Sequence, residues 1–308
     1  MSTELPVNAP SASRLKSFKG LCYNLAMIID FHTHVFSPRI KKNRSKYIDS
    51  DPCFAILYSE KNAKIATTDE LIASMDRDGV DISVIVNIGW TTHELCVETN
   101  DYILESVARY PQRLIGFCAV QPQSYEAAVV ELERCAKEGI RGVGEMRPDM
   151  QLFDLRDEVV MAPLVDILKK YQLILLTHAS EPVGHEYPGK GGITPDILYP
   201  FITSFPDLAI VCAHWGGGLP FYALMPEVKR AMSNVFFDTA ASPLLYSSQV
   251  YNQVVQLVGA DKILFGSDYP LLEQSRLIQE IRSLDLPEET KDLILSGNAQ
   301  RLLGFKSA

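Results

Sequence analysis

The feature that most narrows the fold of this chain is a rhythm. From about residue 27 onward, short β-branched apolar runs alternate with longer amphipathic stretches, the pattern of βα units wound around a parallel sheet. The apolar runs fall at residues 27–31, 82–88, 114–120, 139–145, 173–178, 209–214, 235–238 and 263–268, and each reads as a strand buried on both faces. Helical patterns lie between them at 69–77, 92–109, 125–137, 158–170, 195–205, 221–232 and 249–257, often ended by Gly or Asp. Eight such units in roughly 250 residues fit a closed (β/α)8 TIM barrel better than a doubly wound sheet, and no G-x-G-x-x-G follows the first strand. Two long connections interrupt the rhythm, from Val35 to about Thr68 and from Ala179 to about Thr194. Both follow a strand that ends in histidine, and long loops after barrel strands commonly cover an active site.

The domain division follows from the same pattern. Residues 1–26 carry Ser, Pro, Asn and scattered basic residues without a hydrophobic period and read as a flexible leader, and residues 27–308 form one barrel domain. Met27 is a candidate natural start. The apolar stretch from Leu21 to Ile29 is broken by Asn24 and runs into Asp30 with no small-residue cleavage site, so a signal peptide is not expected. No stretch approaches the roughly 20 apolar residues of a membrane helix. A net charge of -9 argues against an extended nucleic-acid track or an anionic membrane surface and favours a small-molecule substrate. The six cysteines form no C-x-x-C pair and read as reduced thiols of a cytoplasmic protein. A homo-oligomer is compatible with the chain, which carries no readable signal of subunit number.

Barrel enzymes build their sites at the C-terminal mouth from residues on several strands, so the strand ends are read together. Strand one leads into His32 and His34; strand four ends in Glu145, strand five in His178, strand six in His214 and strand eight in Asp268. Residues i and i+2 of a strand share a side, so the His32 and His34 imidazoles converge as half of a metal site. Only six histidines occur in the chain, and four of them fall at these mouths.

The elements Asp30-Phe31-His32-Thr33-His34, Gly144-Glu145, Thr177-His178-Ala179, Ala213-His214-Trp215-Gly216-Gly217, Phe265-Gly266-Ser267-Asp268-Tyr269-Pro270 and Gly297-Asn298-Ala299 resemble those of the amidohydrolase superfamily, in particular its amidohydrolase-related group of metal-dependent barrel hydrolases. The resemblance implies a divalent metal held by His32, His34, His178 and Asp268. Three imidazoles and a carboxylate suit Zn2+ with room for a water molecule, and Mn2+ or another divalent metal is also admissible. Zinc lowers the pKa of bound water to about 7. Asp268 would then accept the water proton and pass it to the leaving group. His214 would either orient the substrate or bind a second ion. Glu145 would either bridge two ions or orient a ligating imidazole, which leaves one or two ions open.

Several further residues are candidates for substrate contact. Arg147 shares the face of Glu145 by the strand period and could fork onto a carboxylate or phosphate. His185 and Tyr187 lie in the loop after strand five, together with Lys190. Trp215 and the glycines after it could present backbone N–H groups to an anion or simply allow a tight turn beside His214. His93 opens a helical pattern and reads as a surface or capping residue. The leading expectation is a metal-dependent hydrolase that cleaves a C–N or C–O bond of a small molecule. The first alternative, which the resemblance also implies, is a non-oxidative decarboxylase of an unsaturated or aromatic acid, for which Arg147 would suit a carboxylate substrate. A second alternative is a two-metal, TatD-like phosphoesterase, and a noncatalytic metal-binding protein is disfavoured by the apparently complete ligand set.

Overall fold

A computed structural model describes residues 27–305. Eight parallel strands follow one another around the sheet in chain order: β1 Ile29–His34, β2 Ile82–Val86, β3 Leu114–Cys118, β4 Gly142–Met146, β5 Ile174–Thr177, β6 Ile210–Cys212, β7 Val235–Asp238 and β8 Ile263–Leu264. The ring is completed beyond β8, where Phe31 N–H donates to Phe265 O at 2.7 Å and His34 N–H to Tyr269 O at 2.7 Å. This is the (β/α)8 barrel that the rhythm of apolar runs requires. The expected leader, Met27 as a start aside, lies outside the described residues, as does Cys22; the other five cysteines are free and buried.

Alternate residues of the strands fill the barrel. Ile29, Phe31, Ile82, Val84, Val86, Ile115, Phe117, Ile174, Leu176, Val211 and Leu264 form one buried cluster, closed at its base by Ala299, Leu303 and Phe305. The opposite faces, including Ile85, Leu114, Val143, Leu175 and Ile210, pack under the helical layer. Local chemistry fixes many helix ends. Thr67 and Glu70 make a capping box at helix Thr68–Asp78, and Gly79 ends that helix in the left-handed region. Helix His93–Arg109 is capped by Thr92, with His93 in its first turn.

Two register shifts position the site. Between Asp30 and Thr33 of β1, three steps of chain oppose the two from Ser83 to Ile85 of β2. Between Val143 and Met146 of β4, three steps oppose the two from Leu175 to Thr177 of β5. An extra residue of this kind reverses which side chains face inward. In β1 the inward side therefore passes from Ile29 and Phe31 to His32 and His34. In β4 it passes to Glu145, while Val143 and Met146 both stay in the outer cluster.

The connection after β1 is more than a loop. It carries three short helices, Pro38–Lys42, Arg44–Ser50 and Pro52–Tyr58. These bury Phe36, Ile40, Tyr47, Cys53, Phe54 and Tyr58 with Ile88 and Trp90 from beyond β2 as a second small core over the barrel mouth. Phe54 stacks on Trp90 at 5.4 Å and 11°. Asp51 pins this cap by accepting from Phe54 N–H and from the Thr91 N–H and hydroxyl. No helix among the described residues is long and apolar enough to cross a membrane.

Candidate metal centre

Six side chains from five strand ends converge inside the mouth. His32 Nε2 lies 3.1 Å from His34 Nε2, and Asp268 Oδ1 is 3.3 Å from the latter. Glu145 Oε2 stands 3.8 Å from both of these imidazole nitrogens. Its other oxygen, Oε1, lies 2.8 Å from His178 Nδ1 and 3.3 Å from His214 Nε2. Two compact triads result, His32 with His34 and Asp268, and Glu145 with His178 and His214. Glu145 faces both. All the residues that the strand ends pointed to are thus brought together, but His178 stands with Glu145 and His214 rather than directly against the first triad.

The centre is nearly dry: His32 is 0% exposed and none of the other three histidines exceeds 7%. Six side chains whose nitrogen and oxygen donors are buried this close together need a shared proton or a cation between them. The orientation of His32 favours a cation. Its Nδ1 bonds Asp238 Oδ2 at 2.8 Å, an arrangement in which Nδ1–H donates and the Nε2 lone pair is turned toward His34 and Asp268. Mixed imidazole and carboxylate donors of this kind fit a divalent first-row metal.

The charges in the centre support one another. Burial opposes a charge on His32, but Asp238, with Glu145 and Asp268, outweighs it and raises the imidazole to about 9, so Nε2 holds the shared proton until a cation displaces it. Burial likewise opposes a charge on His214, and Glu145 with Asp268 lifts it to about 10. Against the same burial, His178, His214 and His32 hold the Glu145 carboxyl well below the usual range. Asp268 is held down to about 2 by His34, His32 and His214 despite its burial. His178 goes the other way, lowered to about 4 by burial and by the nearby Arg147 guanidinium.

Backbone geometry places two of these groups. His214 lies just beyond β6 with φ 54° and ψ 51°, and Trp215 through Gly218 continue in the left-handed region. Asp268 also has a positive φ, 63°. Each such non-glycine residue costs on the order of 1–3 kcal/mol, a cost that neighbouring contacts must offset. For His214 they do: its N–H donates to Asp238 Oδ1 at 2.9 Å and its Nδ1 bonds Ala240 O at 3.0 Å.

Four expected substrate contacts look different in the structure. Trp215 is wholly buried, donates its indole N–H to Ser242 Oγ at 2.9 Å and meets Tyr251 edge-on, so it has no face for a substrate. The glycines after it serve the turn: Gly217 N–H and Gly218 N–H are spent on His214 O and Trp215 O, which removes them as anion donors. Arg147 is 1% exposed, and its fork is filled by Asp149, with Nε to Oδ1 at 3.2 Å and Nη2 to Oδ2 at 3.1 Å. His185 is exposed, while Tyr187 is half-buried and donates to Glu181 Oε2 at 3.0 Å.

Asp238 is the residue that sequence reasoning passed over. It ends β7 as the other site residues end their strands, and that position was the signal. One oxygen orients His32 and the other accepts from the backbone of His214 and Ala240. Replacing it with Asn is expected to weaken divalent-metal binding about 10–100-fold, because the tautomer of His32 is no longer enforced. Chelator competition measures this, and an unchanged affinity would show that His32 is oriented without the carboxylate.

Comparison with known proteins adds the family. A model of the family described as Amidohydrolase matches residues 29–305. The chain belongs to the amidohydrolase family. Among curated proteins, this amidohydrolase-family chain is 24% identical over 332 aligned positions to the 2-amino-3-carboxymuconate-6-semialdehyde decarboxylase of Dictyostelium discoideum, covering 90% of the chain and 91% of the relative. Among solved structures it resembles the 5-carboxyvanillate decarboxylase of Sphingomonas paucimobilis, with a TM-score of 0.74 at 20% identity over 91% of this chain and 99% of that one. The corresponding enzyme of Novosphingobium aromaticivorans, solved with manganese and 4-hydroxy-3-methoxy-5-nitrobenzoic acid, also scores 0.74, at 20% identity over 90% of this chain and 96% of that one. These relatives are decarboxylases, which favours the lyase alternative over the hydrolysis that the sequence reading put first.

Proposed function

We propose that this amidohydrolase-family protein is a divalent-metal-dependent, non-oxidative decarboxylase of a small aromatic or unsaturated carboxylic acid. The observation that carries the reading is the likeness to a decarboxylase along nine-tenths of both chains. The site geometry supports it. A carbon that loses CO2 keeps the bonding electron pair and must take a proton, and a buried imidazole in a dry pocket can deliver one without bulk water.

His32, His34 and Asp268 would hold the ion, with Glu145 facing it from β4. A bound divalent ion would supply Lewis acidity toward the oxygens of the acid and fix its orientation. Manganese, seen in a relative, replaces zinc as the first ion to test. His214 is the proton holder. A carbonyl only accepts, so the contact with Ala240 O places a hydrogen on Nδ1, and Nε2 carries the second, transferable proton toward the cluster. After transfer the ring returns to its charged form by taking a proton from solvent.

The reading is tested with manganese-loaded protein and a panel of hydroxylated and amino-substituted aromatic and unsaturated acids. CO2 release is expected, and in D2O the product should carry deuterium at the carbon that lost the carboxylate. Hydrolysis of an amide, ester or lactone with no CO2 from any acid would reverse the assignment. One observation favours that second reading: the two oxygens of Glu145 face separate triads, as a carboxylate bridging two ions would. A metal content of two ions per chain would support it.

A further inference from the structure

We propose that Asp30 is a positioning residue of the metal centre, clamping the turn that carries Asp268 to the strand that carries His32 and His34. The inference rests on the reading of those three residues as holders of the ion, and not on the reaction proposed for it.

The first triad straddles the seam of the barrel. His32 and His34 stand on β1, whereas Asp268 lies in the turn beyond β8, a strand that spans only Ile263–Leu264. Among the described residues no ladder joins β8 to β1, and an isolated bridge between Thr33 and Tyr269 crosses the seam. The arrangement of the three donors therefore depends on what holds residues 266–269 against β1.

Backbone bonds do only part of this. Of the N–H groups of Ser267, Asp268 and Tyr269, that of Asp268 alone ends on a carbonyl, His32 O at 2.9 Å. Ser267 N–H donates to Asp30 Oδ1 at 2.9 Å, and Tyr269 N–H to Ser267 Oγ at 3.0 Å. The Ser267 hydroxyl, having accepted from Tyr269, gives its own hydrogen to Asp30 Oδ2 at 2.5 Å. The peptide that follows Asp268 is thus oriented by a side chain that Asp30 fixes. That link sustains the left-handed φ of 63° at Asp268, which a non-glycine residue keeps only when its surroundings enforce it.

The clamp is itself anchored. Gln274 Nε2 donates to Asp30 Oδ2 at 2.7 Å and to Ser83 Oγ of β2 at 3.2 Å, and His32 N–H donates to Asp30 Oδ1 at 3.2 Å. Asp30, Ser267 and Gln274 are wholly buried, so bulk water does not compete for these bonds. Below the turn, a Cβ on Gly266 would stand 2.9 Å from His32 Cβ, so turn and strand meet with no side chain between them. A carboxylate that accepts four donors across so close a joint sets Asp268 against the two imidazoles.

The test is a double-mutant cycle read by manganese affinity, with the visible absorption of cobalt-loaded protein as a second readout. Asp30→Asn sets an NH2 against two of the four donors whichever way it turns, and should weaken manganese binding about 10–100-fold. It should also shift the cobalt bands, which report the donors around the ion and stay in place when a folded protein is merely less stable. In protein that already carries Asp268→Ala, adding Asp30→Asn should change the affinity by no more than about twofold, because the carboxylate it positions is gone. Ser267→Ala removes the hydroxyl link and leaves Asp30 its other donors. It should act in the same direction, and it answers the question if Asp30→Asn does not fold. Wild-type affinity and cobalt bands in folded Asp30→Asn or, failing that, in Ser267→Ala would overturn the proposal, as would an equal loss with and without Asp268. Unchanged affinity in Asp268→Ala alone would remove Asp268 from the centre, and the clamp's role would fall with that reading.

Discussion

Alanine at both His32 and His34 is expected to bring bound divalent metal to background. These rings supply two of the three donors of the first triad, and their Nε2 atoms sit 3.1 Å apart with Asp268 beside them. One carboxylate cannot replace two directed nitrogen donors, so the loss is categorical rather than graded. Elemental analysis after dialysis reads the result, and catalysis should vanish with the metal. Removing His32 also leaves Asp238 Oδ2 without its partner in a fully buried position, so some loss of stability accompanies the change. The single variant His34→Ala, which leaves Asp238 paired, separates metal loss from unfolding. Wild-type metal content in a folded double variant would remove these residues from the centre.

The second large effect is at His214. Asparagine tolerates the left-handed backbone that His214 adopts, so His214→Asn should preserve the turn while removing the transferable proton. Turnover should fall by about 10²–10⁴-fold, the usual contribution of a general acid, with metal content close to wild type. Deuterium incorporation measured in D2O should slow in parallel with CO2 release. A variant that loses metal as well as turnover would make His214 a ligand instead, the alternative that its place beside Glu145 and His178 allows.

Much of the barrel was legible because strands buried on both faces leave unbroken apolar runs, and eight of them appear in order. Boundaries were less so. The apolar run ends at Phe31 but the first strand continues through His34, since Thr33 and His34 still pair with β2. Residues 221–232 were read as one helix, whereas a 3₁₀ turn, Leu219–Leu224, and a helix, Pro226–Ala231, meet at an extended Met225. Pro226 forces that break by excluding its predecessor from helical geometry. The long connection after β1 hid three helices because each is too short to show a period.

The candidate site was legible at its proposed ligands and obscure in its supports. His32, His34, Glu145, His178, His214 and Asp268 announced themselves as scarce residue types at strand ends. Asp149, in the short helix Pro148–Gln151 after β4, did not, because an ordinary polar residue gains meaning only from what folds against it. Arg147 shows the limit of strand periodicity most clearly. Its residue type invited a ligand, but the partner that fills its fork lies two residues away.

The register shifts in β1 and β4 imply that this centre is specified by counting as much as by chemistry. Deleting Phe31 would leave every proposed ligand in the sequence, yet it would turn both imidazoles out of the barrel and under the helices. A chain can therefore carry the whole motif and lack the site. Conversely, grafting these residues onto another barrel would succeed only where the recipient strands also hold an extra residue below the mouth.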